Sequence, residues 1–334
     1  MKKHVALIVS IYNGEAYLDR TISTILNQDY ENIEYIFVDD GSKDASLSIV
    51  TSLCESSTNV TKIISQPNQG QSVARNTGVQ EASEETEYIV FTDSDDFIGP
   101  GYVSHLMAAI NQGSNALLAI SGKFVSNSFA SVPSKFVSEH PTVVVSAAEA
   151  ARTVFLQKSG IDTEIYARAW RRDVFINQQF TPGIVFEDLD FNIKFFSSID
   201  LQEPVILTGY TDYQYVQRGD STMHQVSLKS VEDMVQIYEQ FIQQNVNGID
   251  PYIYSKFLGA LSGLLVILSF MDSDVLTEIT SNQLWVAMKT CYLKTSGVNN
   301  RKTRLLRLLM HGGKKQFIFV LRLYLQAKNE WEII

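Results

Sequence analysis

The sequence predicts an α/β fold, with a mostly parallel sheet in its first part and a mainly helical C-terminal region. Three observations predict it. Over the first 125 residues, short apolar runs of strand length alternate with stretches of helical spacing. Several of those runs end in polar, acid-rich clusters, at the strand ends where open parallel sheets hold ligands. After about Val226 the helical period takes over.

The elements follow in order. Val5-Ala6-Leu7-Ile8-Val9 is apolar without a break, as in a strand buried on both faces. Leu18, Thr21, Ile22, Ile25 and Leu26 recur at helical spacing. Glu34 to Val38 is the next strand, ending in Asp39-Asp40-Gly41-Ser42, and Asp44 to Leu53 is the next helix. Thr61 to Ser65 is a β-branched strand, Gln71 to Ala82 a helix, and Tyr88 to Thr92 a strand ending in Asp93-Ser94-Asp95-Asp96. Tyr102 to Asn111 reads as helix and Ala116 to Gly122 as strand. From Val125 to Val145 the pattern weakens. Helices are then predicted over Ala147 to Gln157, Phe191 to Ser197, Val231 to Gln243 and Tyr254 to Met271, with a strand over Val205 to Thr208.

A chain of 334 residues with 45% hydrophobic and 19% charged residues is long enough for two domains. The predicted division is 1–225, itself split near 125, and 226–334. The net charge of -10 argues against a nucleic-acid partner. Two cysteines, Cys54 and Cys291, make no disulfide framework and point to a reducing compartment, the cytoplasm. The short apolar run after Met1-Lys2-Lys3-His4 lacks the length of a signal-peptide core. Phe257 to Met271 is interrupted by glycine and serine and reads as a buried helix rather than a membrane span.

Neither a G-x-x-x-x-G-K-[ST] loop nor a G-x-G-x-x-G turn follows the first strand, so a nucleotide's phosphates need another counter-charge. The missing glycine fingerprint also counts against a dinucleotide oxidoreductase. Asp93-Ser94-Asp95 at a strand end suits a hard divalent cation, Mn²⁺ or Mg²⁺, because alternate residues of an extended segment point to one side.

Five stretches in fixed order carry a resemblance: Val9-Ser10-Ile11-Tyr12-Asn13, Ile25-Leu26-Asn27-Gln28, Phe37 to Ser42, Asn68 to Gly78 with its Ala74-Arg75-Asn76-Thr77-Gly78, and Phe91 to Asp96. Together they resemble the inverting nucleotide-sugar glycosyltransferases of family 2, which have the GT-A fold. The likeness is close over 4–110, patchy to about 225 and absent beyond.

The resemblance implies a metal-dependent enzyme of bacterial surface-glycan assembly. It would move one sugar from a nucleotide-diphosphate donor, a UDP-sugar, to a hydroxyl of a glycan, teichoic-acid-like or lipid-linked acceptor. By the same likeness Asp40 meets the imide N–H of uracil, with Ser10 and Tyr12 lining the base pocket. Arg75 lies near the base or the phosphates, Asp93 faces the ribose or the metal, and Asp95 ligates the metal. Glu187-Asp188, which also suits a helix N-terminus electrostatically, resembles the family's E-D motif, with Asp188 as general base and Glu187 in support. Arg168-Ala169-Trp170-Arg171-Arg172 resembles a K-L-Y-K-R stretch, with Arg168 and Trp170 departing from it. Tyr213 to Ser221 resembles a loop that closes over the diphosphate, placing Arg218 on phosphate, with His224 either a further metal ligand or an ordinary histidine. A catalytically inactive binding module of the same fold is the alternative. Intact Asp40, Asp93, Asp95, Glu187 and Asp188 argue against it.

The resemblance does not reach residues 301–334, which hold eight basic and two acidic residues, a net +6 on an acidic chain. Leu305, Leu308 and Leu309 share one helical face, and Arg304, Arg307 and His311 another. Such a segment suits a peripheral contact at the inner face of the membrane, or simply packs on the protein.

Overall fold

The computed structural model describes residues 2–113, 116–126, 141–217, 227–244, 248–268 and 275–328. The chain divides into two compact units, Met1–Thr153 with Gln157–Arg218, and Val154–Leu156 with Gly219–Ile334.

The first unit runs β1 (Val5–Ile11), α1 (Leu18–Leu26), β2 (Ile33–Asp39), α2 (Ser46–Glu55), β3 (Val60–Ser65), α3 (Gln71–Glu81) and β4 (Tyr88–Asp93). It continues with β5 (Phe97–Ile98), α4 (Tyr102–Ile110), β6 (Leu118–Ile120), β7 (Lys123–Ser126), β8 (Val143–Ser146) and α5 (Ala147–Phe155). It closes with β9 (Arg168–Arg171), α6 (Val174–Asn177), α7 (Glu187–Ser198), β10 (Pro204–Leu207) and β11 (Tyr213–Val216).

Among the described residues eight strands form the main sheet in the order β3-β2-β1-β4-β9-β6-β10-β8, and β5-β11-β7 form a smaller one. β1 pairs parallel with both β2 and β4, so its side chains from Val5 to Val9 are fully buried, which explains the unbroken apolar run. β9 and β8 run antiparallel to their neighbours. The register sets Ser10 opposite Val38 on one side and Asp93 on the other, and Ile11 opposite Asp39. Three strands therefore end level, and the segments after them leave from one edge of the sheet.

Helix α3 lies close on β1 because of Gly78. A Cβ built there would stand 2.4 Å from Ile8 Cγ2, in a strand held on both sides. Gly78→Ala is therefore expected to destabilise the protein by about 1–3 kcal/mol, the usual range for overpacking. Urea unfolding measures it, and an unchanged midpoint at unchanged m-value would show that the helix moves off freely.

Among the described residues the second unit holds α8 (Leu228–Gln244), α9 (Asp250–Leu268), α10 (Val275–Lys294), α11 (Arg301–Met310) and α12 (Gly313–Lys328). Phe257, Leu258, Leu261, Leu264 and Leu265 of α9 are fully buried. Tyr238 and Phe241 of α8 pack on Phe257, with ring centroids 5.3 and 5.6 Å away. Trp285 of α10 meets Phe317 of α12 at 5.6 Å. Among the described residues, no helix is long and apolar enough to cross a membrane.

Candidate active site

The loops after β1 and β2 are zipped together. Asn13, with a left-handed φ of 49°, donates its N–H to Ser42 Oγ at 3.0 Å and accepts from Lys43 N at 2.8 Å. Gly41 has φ +73°, and a Cβ on it would meet Asn68 N at 2.8 Å, so the turn requires glycine. Asp39 accepts from Ser42 N and Ser65 Oγ.

Asp40, 3% exposed, accepts three hydrogen bonds: from Gln66 Nε2 at 2.7 Å, Gln69 N at 3.0 Å and Gly70 N at 2.7 Å. Its carboxylate thus organises the loop that leads into α3, and Thr77 Oγ1 holds Gln66 in turn. Three of its four lone-pair positions are committed. Tyr12 stands 45% exposed at the end of β1, and Ser10 is half-buried beside Asp93.

Arg75 is the centre of the site. It sits on the sheet-facing side of α3 and is 2% exposed. Its guanidinium donates to Asp188 Oδ1 at 2.7 Å, Glu187 Oε1 at 3.2 Å and Asp93 Oδ1 at 3.1 Å. Burial works against the charge, but Asp188, Asp93 and Glu187 outweigh it and raise the arginine's pKa. The ring of Phe180 lies 5.4 Å from the guanidinium, and Asn76 fixes Phe180 through two 2.9 Å hydrogen bonds to its backbone. The Arg-Asn pair of α3 thus supplies a cation and the brace for the ring beside it.

The turn after β4 gathers the carboxylates of Asp93, Asp95 and Asp96, with ligand atoms within 4.8 Å of one another. Asp93 and Asp95 are half-buried. Asp96 is 1% exposed and accepts from Tyr213 Oη at 2.6 Å and Val216 N at 2.8 Å. Burial, with Asp95 and Asp93 nearby, pushes its pKa far up. Tyr213 Oη also accepts the N–H of Asp93 at 3.2 Å, and its ring stacks on Tyr166 at 4.3 Å. Asp96 therefore ties the turn to β11; Asp93, which also accepts from Arg75 and from Gln71 Nε2 at 3.0 Å, and Asp95 beside it are residues that could hold a cation. Three carboxylates supply hard oxygen donors, which fit a hard divalent ion.

Glu187 and Asp188 begin α7, where the helix N-terminus favours acids. Burial and the neighbouring Asp188 push the Glu187 carboxyl well above the usual carboxylate range. Burial raises Asp188 too, opposed by Arg75. Asp188 Oδ2 accepts from Ile165 N at 3.3 Å. One turn on, fully buried Asn192 donates to the Asp188 carbonyl at 2.7 Å and accepts from Arg168 Nη1 at 2.6 Å. Arg168 also bonds the Asp162 carbonyl, and burial lowers its pKa to about 10. Asp190 is a buried structural acid, accepting from Lys194 Nζ and Thr181 Oγ1 at 2.6 Å each.

The structure brings Arg75, Asp93, Glu187 and Asp188 into one hydrogen-bonded cluster, with Asp95 beside Asp93 and Ser10 on the adjoining strand. It places Asp40 in the base of a loop. Arg218 and His224 lie outside the described residues. Asn192 and Gln66 are not singled out by the sequence, and Tyr213 enters there only as the start of a loop motif, not as the partner of Asp96. A buried polar residue four positions after Asp188 on one helix is a signal that could have found Asn192.

The profile of glycosyl transferase family 2 matches residues 6–179. An uncharacterised glycosyltransferase of Haemophilus influenzae is 43% identical over 94 residues, 28% of this chain and 37% of that protein. The matched stretch thus spans little more than a third of that relative. S. aureus TarS 1–349, solved with UDP-GlcNAc, superposes at TM-score 0.64 and 19% identity, covering 94% of this chain and 88% of that one. The mannosyltransferase PcManGT from Pyrobaculum calidifontis, solved with GDP-Man and Mn²⁺, superposes at TM-score 0.53 and 14% identity, covering 88% and 87%. At such identities the likeness is one of fold: the architecture is the GT-A α/β fold followed by a helical region.

Proposed function

The chain belongs to glycosyl transferase family 2, and from that premise we propose that it is an inverting, metal-dependent transferase. It moves one sugar from a UDP-sugar to a hydroxyl of a glycan or lipid-linked acceptor. One observation carries this reading: Arg75 joins Asp93, at the end of β4, to Glu187 and Asp188, at the start of α7. Donor and acceptor functions converge on a single buried cation.

In this reading Ser10, Tyr12 and the loop organised by Asp40 receive the base, with Arg75 and Asp93 near the ribose and phosphates. Arg218 would serve the diphosphate, and His224 would be a further ligand. Asp93 and Asp95 would hold Mn²⁺ or Mg²⁺, which when bound neutralises the donor's diphosphate. The complexes of the two likened structures, with UDP-GlcNAc and with GDP-Man and Mn²⁺, support a nucleotide sugar and a divalent ion.

Asp188 takes the proton of the attacking hydroxyl. Burial makes its carboxylate more basic, and the Arg75 guanidinium opposes that rise by favouring the charged form, the two pulls that tune a general base. Glu187 shares Arg75 and helps orient it. Asn192 and Ile165 N fix the start of α7 and the Asp188 carboxylate.

The test begins with calorimetry of UDP binding. Affinity should fall at least about tenfold, ~1.4 kcal/mol, when EDTA replaces Mn²⁺, and Asp95→Asn should show the weak affinity in both conditions. Equal binding with and without the ion would remove the metal from the proposal. A screen of nucleotide sugars for hydrolysis in the presence of Mn²⁺ then names the donor without knowledge of the acceptor.

A further inference from the structure

Segment 301–328 carries eight basic residues and no acid, on a chain of net charge -10. Within it, α11 has a firm start, because Asn300 Oδ1 accepts from Lys302 N at 2.8 Å and Thr303 N at 3.3 Å. The helix buries Thr303, Leu306 and Met310. That is not the face on which Leu305, Leu308 and Leu309 lie. Leu305 and Leu308 are 43% and 67% exposed. They share their stripe with exposed Arg301 and Arg304, since positions 301, 304, 305 and 308 recur at i, i+3, i+4 and i+7. The outward face of α11 is thus two arginines interleaved with two leucines.

We propose that this stripe docks the protein on an anionic lipid bilayer. The guanidiniums meet headgroup phosphates, and the leucine side chains enter the acyl boundary beneath them. A lipid surface satisfies both kinds of residue at one depth, because an interfacial helix lies along the boundary between charge and hydrocarbon. A second copy pairing α11 with α11 along this stripe would gather four arginines at one seam, with no acid on either stripe to neutralise them. An acidic protein would neutralise the arginines but give the leucines no apolar layer. The remaining cations of the segment add to the attraction without having to touch the surface.

Co-sedimentation of the full chain with vesicles decides it. Binding is expected to phosphatidylcholine vesicles containing phosphatidylglycerol and not to phosphatidylcholine alone, and it should weaken at about 0.5 M NaCl through screening. Arg301→Gln with Arg304→Gln should lower the partition coefficient about tenfold or more. Leu305→Ser with Leu308→Ser should lower it comparably with the charge intact. Both variants should melt at the wild-type temperature, so the loss is not one of folding. Absence of wild-type binding, or binding that neither variant weakens, overturns the proposal. Self-association of the lipid-free protein that the leucine variant abolishes would instead assign the face to a contact between copies.

Discussion

Asp188→Asn is expected to lower sugar transfer about 10²–10⁴-fold while UDP affinity stays within a small factor of wild type. The size is that of a lost general base. The separation of the two effects follows from position. Asp188 sits on α7, bonded to Arg75 and to Ile165 N, and does not belong to the loops after β1 and β2. The asparagine keeps an oxygen for Ile165 N, and Arg75 retains Asp93 and Glu187, so the cluster stays assembled. Glu187→Gln should cost less, because that side chain orients rather than accepts the proton. Steady-state kinetics at saturating acceptor, beside calorimetry with UDP, gives both quantities. Near wild-type turnover in Asp188→Asn would move the base to another residue.

Arg75→Met should be the most destabilising single change in the site, by about 3–5 kcal/mol. The methionine fills much of the same space, so the loss is electrostatic. Asp93, Glu187 and Asp188 are left as half-buried acids without the guanidinium that joins them. The Glu187 and Asp188 carboxyls, already pushed up by burial, then rise further above their values in the unfolded chain, so the folded state binds protons that unfolding releases. Stability lost at neutral pH is accordingly regained as the pH is lowered toward ordinary carboxylate values, and falls again as it is raised. Arg75→Lys should lie between, since an ammonium keeps the charge but lacks the fork that reaches three carboxylates. Urea unfolding of the three proteins at several pH values tests this. A methionine variant as stable as wild type at neutral pH would mean that the carboxylates are solvated rather than dependent on Arg75.

The main sheet was legible where burial is two-sided. β1, β2 and β4 read as apolar runs because neighbours cover both faces, and the acids that follow β2 and β4 mark the edge where those strands end. β9 was not legible as a strand. It carries Arg168, whose burial is made tolerable by Asn192 and the Asp162 carbonyl, partners that periodicity cannot reveal. β11 was missed because Tyr213 and Tyr215 read as a loop motif, whereas Tyr213 is buried against Tyr166 and bonded to Asp96. The acids themselves were legible as a set but not in their division of labour. Asp40 and Asp96 look like Asp93 and Asp95 in sequence. Their hydrogen bonds come from residues 26–30 and about 120 positions away. α11 was legible as basic and amphipathic, but which apolar side faces inward depends on neighbouring helices.

The closeness of α3 to β1 also sets a tolerance. Arg75 and Gly78 lie one turn apart on the same buried side of the helix. The distance from helix axis to sheet at Gly78 therefore fixes how far the guanidinium reaches toward β4 and α7. One methyl group inserted at Gly78 would lift that reference surface and carry the arginine away from all three acceptors together. Reacting geometries are intolerant of such shifts, with ~1 Å of misplacement costing as much as 10²-fold in rate. The backbone atom at position 78 thus acts as a gauge for a charge it never touches.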